Sequence, residues 1–125
     1  MLSSVCVGSN DLEAAGRFYD EVLATIGMSR QVSIEHELGY ADKNGEICFW
    51  VVSPYNKEPA TFGNGTQVIF SAENREAVSA FHSSILKMGG SDEGAPGPRD
   101  YSKGYFGAYG RDLDGNKLHA AVIED

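Results

Sequence analysis

Cysteine is scarce in this chain. There are two, Cys6 and Cys48, each inside an apolar run ("SSVCVG" and "EICFWVV"). A domain of 125 residues needs no disulfide to hold a core, so both are read as reduced residues that pack as small hydrophobes. Basic residues are few as well: ten Lys and Arg stand against eighteen Asp and Glu, a formal net charge of −8. This balance argues against a nucleic-acid partner, because phosphates are bound by neutralising them with Lys and Arg. No apolar run reaches the length of a membrane span, and no basic segment leads into an apolar stretch at the N-terminus. The expectation is a cytoplasmic protein with neither membrane nor nucleic acid as partner.

What is present is strongly patterned. Residues 2 to 8, "LSSVCVG", are short, apolar and β-branched, as a strand would be. Asn10-Asp11 supplies an N-cap to "LEAAGRFYDEVLATIGM", where Leu12, Ala15, Phe18, Tyr19, Val22, Leu23 and Ile26 recur at helical spacing and Gly27 is placed to end the helix. Residues 29 to 53 hold two or three short strands with a tight turn at Asn44-Gly45. A polar loop, "PYNKEPATFGNG", joins this half to another strand, "TQVIFSA". A second helix, "ENREAVSAFHSSILKMGG", follows, with Val78, Phe81, Ile85 and Leu86 on one face and His82 at its exposed edge. "SDEGAPGPRDYSKG" reads as a long loop, "YFGAYGR" as a strand, Asp114-Gly115 as a hairpin turn and "NKLHAAVIE" as the final strand.

The order strand, helix, three strands therefore occurs twice, and the residues repeat with it. Adding 63 carries Asp11 to Asn74, Ala15 to Val78, Phe18 to Phe81 and Val22 to Ile85; adding 70 carries "DKNGEICFW" (42 to 50) onto "DLDGNKLHA" (112 to 120). The fold class expected is α+β, with two tandem βαβββ modules (about 1 to 56 and about 64 to 125) forming one domain around a cleft. Asp112-Leu-Asp-Gly-Asn116 has the wrong glycine position for an EF-hand loop and reads as a β-turn, with Gly115 at positive φ and Asp114 bonding the backbone.

With "SNDLEAAGRFYDEVLATIG", "GTQVIFSAENREAVSAFHSSILKMGG" and "YFGAYGRDLDGNKLHA" on the page, the chain resembles the vicinal oxygen chelate superfamily: glyoxalase I, extradiol dioxygenases and the fosfomycin- and bleomycin-resistance proteins. The resemblance spans essentially the whole sequence. It implies a cleft open to small molecules, a homodimer, and a divalent metal held by residues on inward-facing strands. The matching positions are Ser4 and Gln67 on the first strands and Phe49 and His119 on the last strands; a one-residue drift at Phe49 gives Cys48 or Trp50. Of these, His119 and Gln67 are the candidate metal ligands.

Two functions follow from the resemblance. One is a glyoxalase-like lyase or isomerase acting on a small oxygenated metabolite, with His119 as acid–base or ligand. The other is a non-catalytic, metal-free binding or drug-sequestering protein of the bleomycin-resistance type, in which Phe49, Trp50 and tyrosines form an apolar cage. From the residues themselves, Arg99 is a candidate anchor for a carboxylate or phosphate, and Tyr101, Tyr105 and Tyr109 a candidate aromatic lining.

Overall fold

The computed structural model describes residues 1–124. Its elements run β1 (Val5–Gly8), α1 (Leu12–Ala24), β2 (Ser29–Ile34), β3 (Glu37–Ala41), β4 (Ile47–Val52), β5 (Gln67–Ser71), α2 (Arg75–Lys87), β6 (Ser91–Pro98), β7 (Tyr105–Arg111) and β8 (Lys117–Ile123). The duplication read from the sequence is thus a duplication of structure. Each module makes one four-stranded sheet, in the orders β1-β4-β3-β2 (sheet 1) and β5-β8-β7-β6 (sheet 2). In each sheet the first and last strands of the module lie parallel and the remaining pairs antiparallel.

The helices begin where short polar side chains can accept the orphan N–H groups of a first turn. Asp11 accepts from the Ala14 N–H at 3.0 Å, and Asn74, its counterpart, from the Ala77 N–H at 2.8 Å. Gly27 and Gly89 follow the helices at φ 80° and 96°, a conformation that costs glycine little. Leu86 is exposed rather than packed, and His82 is buried rather than at an exposed edge. His82 reaches Asp92 on β6 at 2.8 Å, which resolves the burial of an imidazole on an apolar helix face.

Residues 91 to 98, read above as loop, form the edge strand β6. The glycines and prolines that suggest a loop are compatible with an edge, where one side of the strand needs no N–H donors. The ladder to β7 is broken by irregularities on either side of Gly94.

One core serves both modules. Phe18, Tyr19 and Val22 of α1, Tyr40 and Phe49 of sheet 1, and Phe70, Phe81, Ile85 and Leu118 of the second module belong to a single buried cluster. Phe49 meets Phe70 edge to face at 5.2 Å across the module boundary. Both sheets therefore turn the same kind of face, the one that carries the helices, toward a shared interior. Among the described residues no further helix covers their opposite faces.

A polar tie crosses the same boundary. Asp112 is 6% exposed. Its Oδ2 accepts from the Tyr19 hydroxyl at 2.5 Å and from Asn116 Nδ2 at 2.9 Å, while Oδ1 accepts from the Asp114 and Asn116 N–H groups at 2.9 Å. Asn116 also donates to the Gly8 carbonyl at 2.9 Å. Asp112, rather than Asp114, therefore bonds the backbone within the turn. Asp114 Oδ1 instead accepts from the Asn10 N–H at 2.9 Å, a second link between modules. Burial pushes the Asp112 carboxyl upward, and its four donors counter that shift. Burial, then Asp112 itself, raises the Tyr19 hydroxyl well above its usual range. No helix among the described residues is long and apolar enough to cross a membrane.

Candidate functional site

Alternation along a strand decides which side chains share a face. On β8, Leu118 and Ala120 enter the core, so Lys117, His119 and Ala121 face outward. Across the ladder, Arg111, Tyr109, Gly107 and Tyr105 of β7 share that outer face, and on β5 so do Gln67, Ile69 and Ser71.

His119 is nevertheless only 1% exposed, because tyrosines wall it in. Its ring lies 4.1 Å from that of Tyr109, centre to centre, and 6.5 Å from that of Tyr101. Its Nε2 shares a hydrogen bond of 3.2 Å with the Tyr105 hydroxyl, and Nδ1 is buried with no partner among the described residues. Tyr101 and Tyr109 are bonded hydroxyl to hydroxyl at 2.9 Å. Tyr101 and Tyr105 meet edge to face at 4.9 Å. Glycines make the room. A Cβ on Gly107 would stand 2.9 Å from His119 Nε2, and one on Gly94 would stand 2.8 Å from the Tyr109 ring.

Arg99 comes over this face from the β6–β7 loop. It donates to the Pro98 carbonyl at 3.0 Å and the Ala95 carbonyl at 2.6 Å, and its guanidinium carbon lies 5.3 Å from the centre of the Tyr109 ring. Lys117 Nζ lies 5.3 Å from the same ring. Burial first, and then the charges of Arg99 and Lys117, push the His119 imidazole down to about 4, so it is neutral at physiological pH. Burial and the bond to Tyr101 push Tyr109 up to about 12, and burial raises Tyr105, so both phenols stay protonated.

The first module answers differently at the equivalent positions. The β1–β4 pair Val5–Phe49 corresponds to the β5–β8 pair Val68–Leu118, and all four side chains point toward the core. Phe49, 1% exposed and packed on Tyr19 and Tyr40, is therefore not the counterpart of His119. Trp50 is. The cause is a bulge: Ala41 pairs with Ile47 and Tyr40 with Phe49, leaving Cys48 as an extra residue on β4. Arg111–Lys117 and Gly110–Leu118 follow without interruption in the second module. The hairpin turns superpose at an offset of 70, but the strands behind them superpose at 69, and one residue exchanges the faces of a strand.

The structure thus brings together His119, Tyr101, Tyr105, Tyr109 and Arg99, with Gln67 on the same face. Ile69, not Gln67, is the strand neighbour of His119, and Gln67 lies two residues along the strand, roughly 7 Å away. Ser4 and Trp50 belong to the first module, and Phe49 lies in the core. Sequence reasoning passed over Lys117, two residues before His119 in an alternating strand, and the glycine of Tyr105-x-Gly107-x-Tyr109, whose period of two already places all three on one face. A separate concavity of about 660 Å³ lies between the end of α1, the β3–β4 turn and β5, and another of about 820 Å³ lies beside the linker. Neither is lined by His119 or its tyrosines.

Among solved structures, a glyoxalase/bleomycin resistance protein from Albidiferax ferrireducens T118 is 39% identical to this chain over 97% of each, with a TM-score of 0.87. The chain belongs to the glyoxalase/bleomycin resistance family. A glyoxalase/bleomycin resistance protein/dioxygenase family enzyme from Burkholderia phytofirmans PsJN (19% identity, 98% of each chain, TM-score 0.76) shares the fold. So does a glyoxalase-related enzyme from Fulvimarina pelagi (18% identity, 97% of this chain and 86% of that one, TM-score 0.74). No protein-family model and no curated protein matches the sequence.

The divalent metal that some members of the family use does not fit the donors here. A tight site takes three or four N, S or O ligands, usually with imidazole, thiolate or carboxylate among them. Of Ser4, Gln67, Trp50 and His119 only His119 is a strong donor, and no group of three His, Cys, Asp or Glu that could hold a metal exists among the described residues.

Proposed function

We propose that this family member is a small-molecule-binding protein that holds its ligand on the tyrosine-walled outer face of sheet 2, without a tightly bound divalent metal. The observation that carries the reading is the surroundings of His119: aromatic rings and cations where coordination would need further imidazole or carboxylate. The reading as a lyase or isomerase needs His119 to take up or release a proton near neutrality. An imidazole held down at about 4 is a weak base there and lacks the extra proton of an imidazolium general acid.

A homodimer belongs to the proposal. Ile69 and Ile123 are more than half exposed on the outer face, and a second copy that covers them would border the ligand site rather than fill it. So does a reducing, cytoplasmic setting, in keeping with Cys6 and Cys48 as free thiols.

Metal content tests the central point. Protein purified without chelator and without a metal-carrying tag should hold well under one metal per chain, and nickel, zinc or manganese should not raise its melting temperature. A stoichiometric metal that is lost in His119→Ala would overturn the proposal. Light scattering checks the dimer, which should give twice the 13.5 kDa of one chain.

A further inference from the structure

The ligand-binding face is charged against the rest of the molecule. The chain as a whole carries −8, and long-range repulsion from that charge disfavours an anion. Around His119 the sign is reversed. Both charged groups that act on its ring, Arg99 and Lys117, are positive. Neither is in an ion pair: the ion pairs among the described residues are made by Arg17, Arg30, His36, Arg75, His82 and Arg111. Arg99 commits only one N–H from each terminal nitrogen to the loop carbonyls, out of five in the guanidinium. Two half-buried cations left without carboxylates, in a chain rich in carboxylates, are an unbalanced local charge that a ligand can balance.

The uncharged part of the face is just as specific. Tyr101 is 67% exposed, and its ring stands edge to face with Tyr105. It is fixed there by its hydroxyl bond to Tyr109. A large aromatic side chain that is both exposed and held in place offers area without further ordering cost.

Resting on the binding role proposed above, we infer that the ligand class is a flat aromatic carboxylate, its ring against Tyr101 and Tyr105 and its carboxylate taken by Arg99 with Lys117 adding charge. The planar fork of arginine matches the two oxygens of a carboxylate. Adjacent tyrosine rings favour a planar partner over a puckered aliphatic one.

The test is a titration of the full chain with four matched probes, followed by calorimetry and by the NMR signals of the His119 ring: 2-naphthoate, 2-naphthamide, 2-naphthylmethylammonium and cyclohexanecarboxylate. Naphthoate should bind and move the His119 signals. The amide, the ammonium and the aliphatic acid should each bind at least about tenfold more weakly. Arg99→Gln combined with Lys117→Gln should weaken naphthoate by a similar factor while leaving the amide unchanged. Raising the salt to 0.5 M should weaken the two carboxylates and leave the amide unchanged.

Equal binding of naphthoate and naphthamide, or tighter binding of the ammonium, would overturn the assignment of charge and leave the binding role standing. Equal binding of cyclohexanecarboxylate would overturn the aromatic part. If no probe of either charge moves the His119 signals, the binding role on this face fails together with the ligand class.

Discussion

Gly39 lies beneath Trp50 in the first module where Tyr109 lies against His119 in the second, and Cys6 stands beside the first pair where Ile69 stands beside the other. A Cβ on Gly39 would come within 2.7 Å of the Trp50 ring, so the first module has given the whole volume to the indole. The second divides it between a phenol and an imidazole. The turns behind these pairs differ in the same way. Asp42 Oδ1 accepts from the Asn44 and Glu46 N–H groups at 2.9 and 3.1 Å, the same two bonds that Asp112 Oδ1 makes to Asp114 and Asn116. Only Asp112 has a second oxygen engaged across the module boundary. Duplication carried over the backbone geometry and left the side chains free to diverge into a face filled by one indole and a polar, cationic one.

The comparison breaks most easily at the two aspartates. Asp112→Ala should cost about 3–5 kcal/mol, because it strands the buried Tyr19 hydroxyl and the Asn116 amide as well as the turn. Asp42→Ala loses two exposed backbone bonds and should cost about 1 kcal/mol. Urea unfolding measures both, and equal losses would mean that the tie to Tyr19 contributes nothing.

Acid should separate the modules next. The folded protein holds His119 near 4 while the unfolded chain leaves an imidazole near its ordinary 6.5. The unfolded state therefore binds more protons in this window. The stability that comes from keeping His119 neutral is complete above about pH 6.5 and is lost as the pH falls toward 4, up to about 3 kcal/mol in all. Asp112, raised in the folded state, acts in the opposite sense. The readout is consequently the difference between wild type and His119→Gln, which should shrink by this amount from pH 7 to pH 4. A difference independent of pH would contradict a buried neutral imidazole.

The glycines give a smaller effect of a different kind. Gly39→Ala and Gly107→Ala should each cost about 1–3 kcal/mol, since the new Cβ would stand 2.7 Å from the Trp50 ring and 2.9 Å from His119 Nε2 and the ring must shift. Only Gly107→Ala should displace the His119 signals and weaken ligand binding. Smallest of all, Tyr105→Phe should cost about 1 kcal/mol through its bond to His119 Nε2, with the ring stack retained.

Several of these features were legible before any coordinates. Two βαβββ modules follow from the repeat of Asp11, Phe18 and Val22 at Asn74, Phe81 and Ile85, because an amphipathic period survives without knowledge of its partner. Both turns follow from Asn44-Gly45 and Asp114-Gly115. The tyrosine lining follows from the period of two in Tyr105-x-Gly107-x-Tyr109. Strand β6 escaped notice because its prolines and glycines are excluded from central strands but not from edges. His82 was misplaced because helix periodicity does not show a carboxylate waiting on another strand.

What the sequence determined by itself was therefore the periodic part: which segments are helix or strand, where they turn, and that one set of them repeats. Local spacing contains that information. Which faces meet was decided only in three dimensions. The extra residue at Cys48 sends Phe49 into the core and Trp50 outward, a difference that an offset counted along the chain cannot show. The shared interior then puts Tyr19 on Asp112, 93 residues apart. Lys117 reaches His119 along β8 itself, but Arg99 acts on it only once the β6–β7 loop has come over the sheet. Charge and burial act through space, so the neutrality of His119 is a property of the fold and not of the peptide around it.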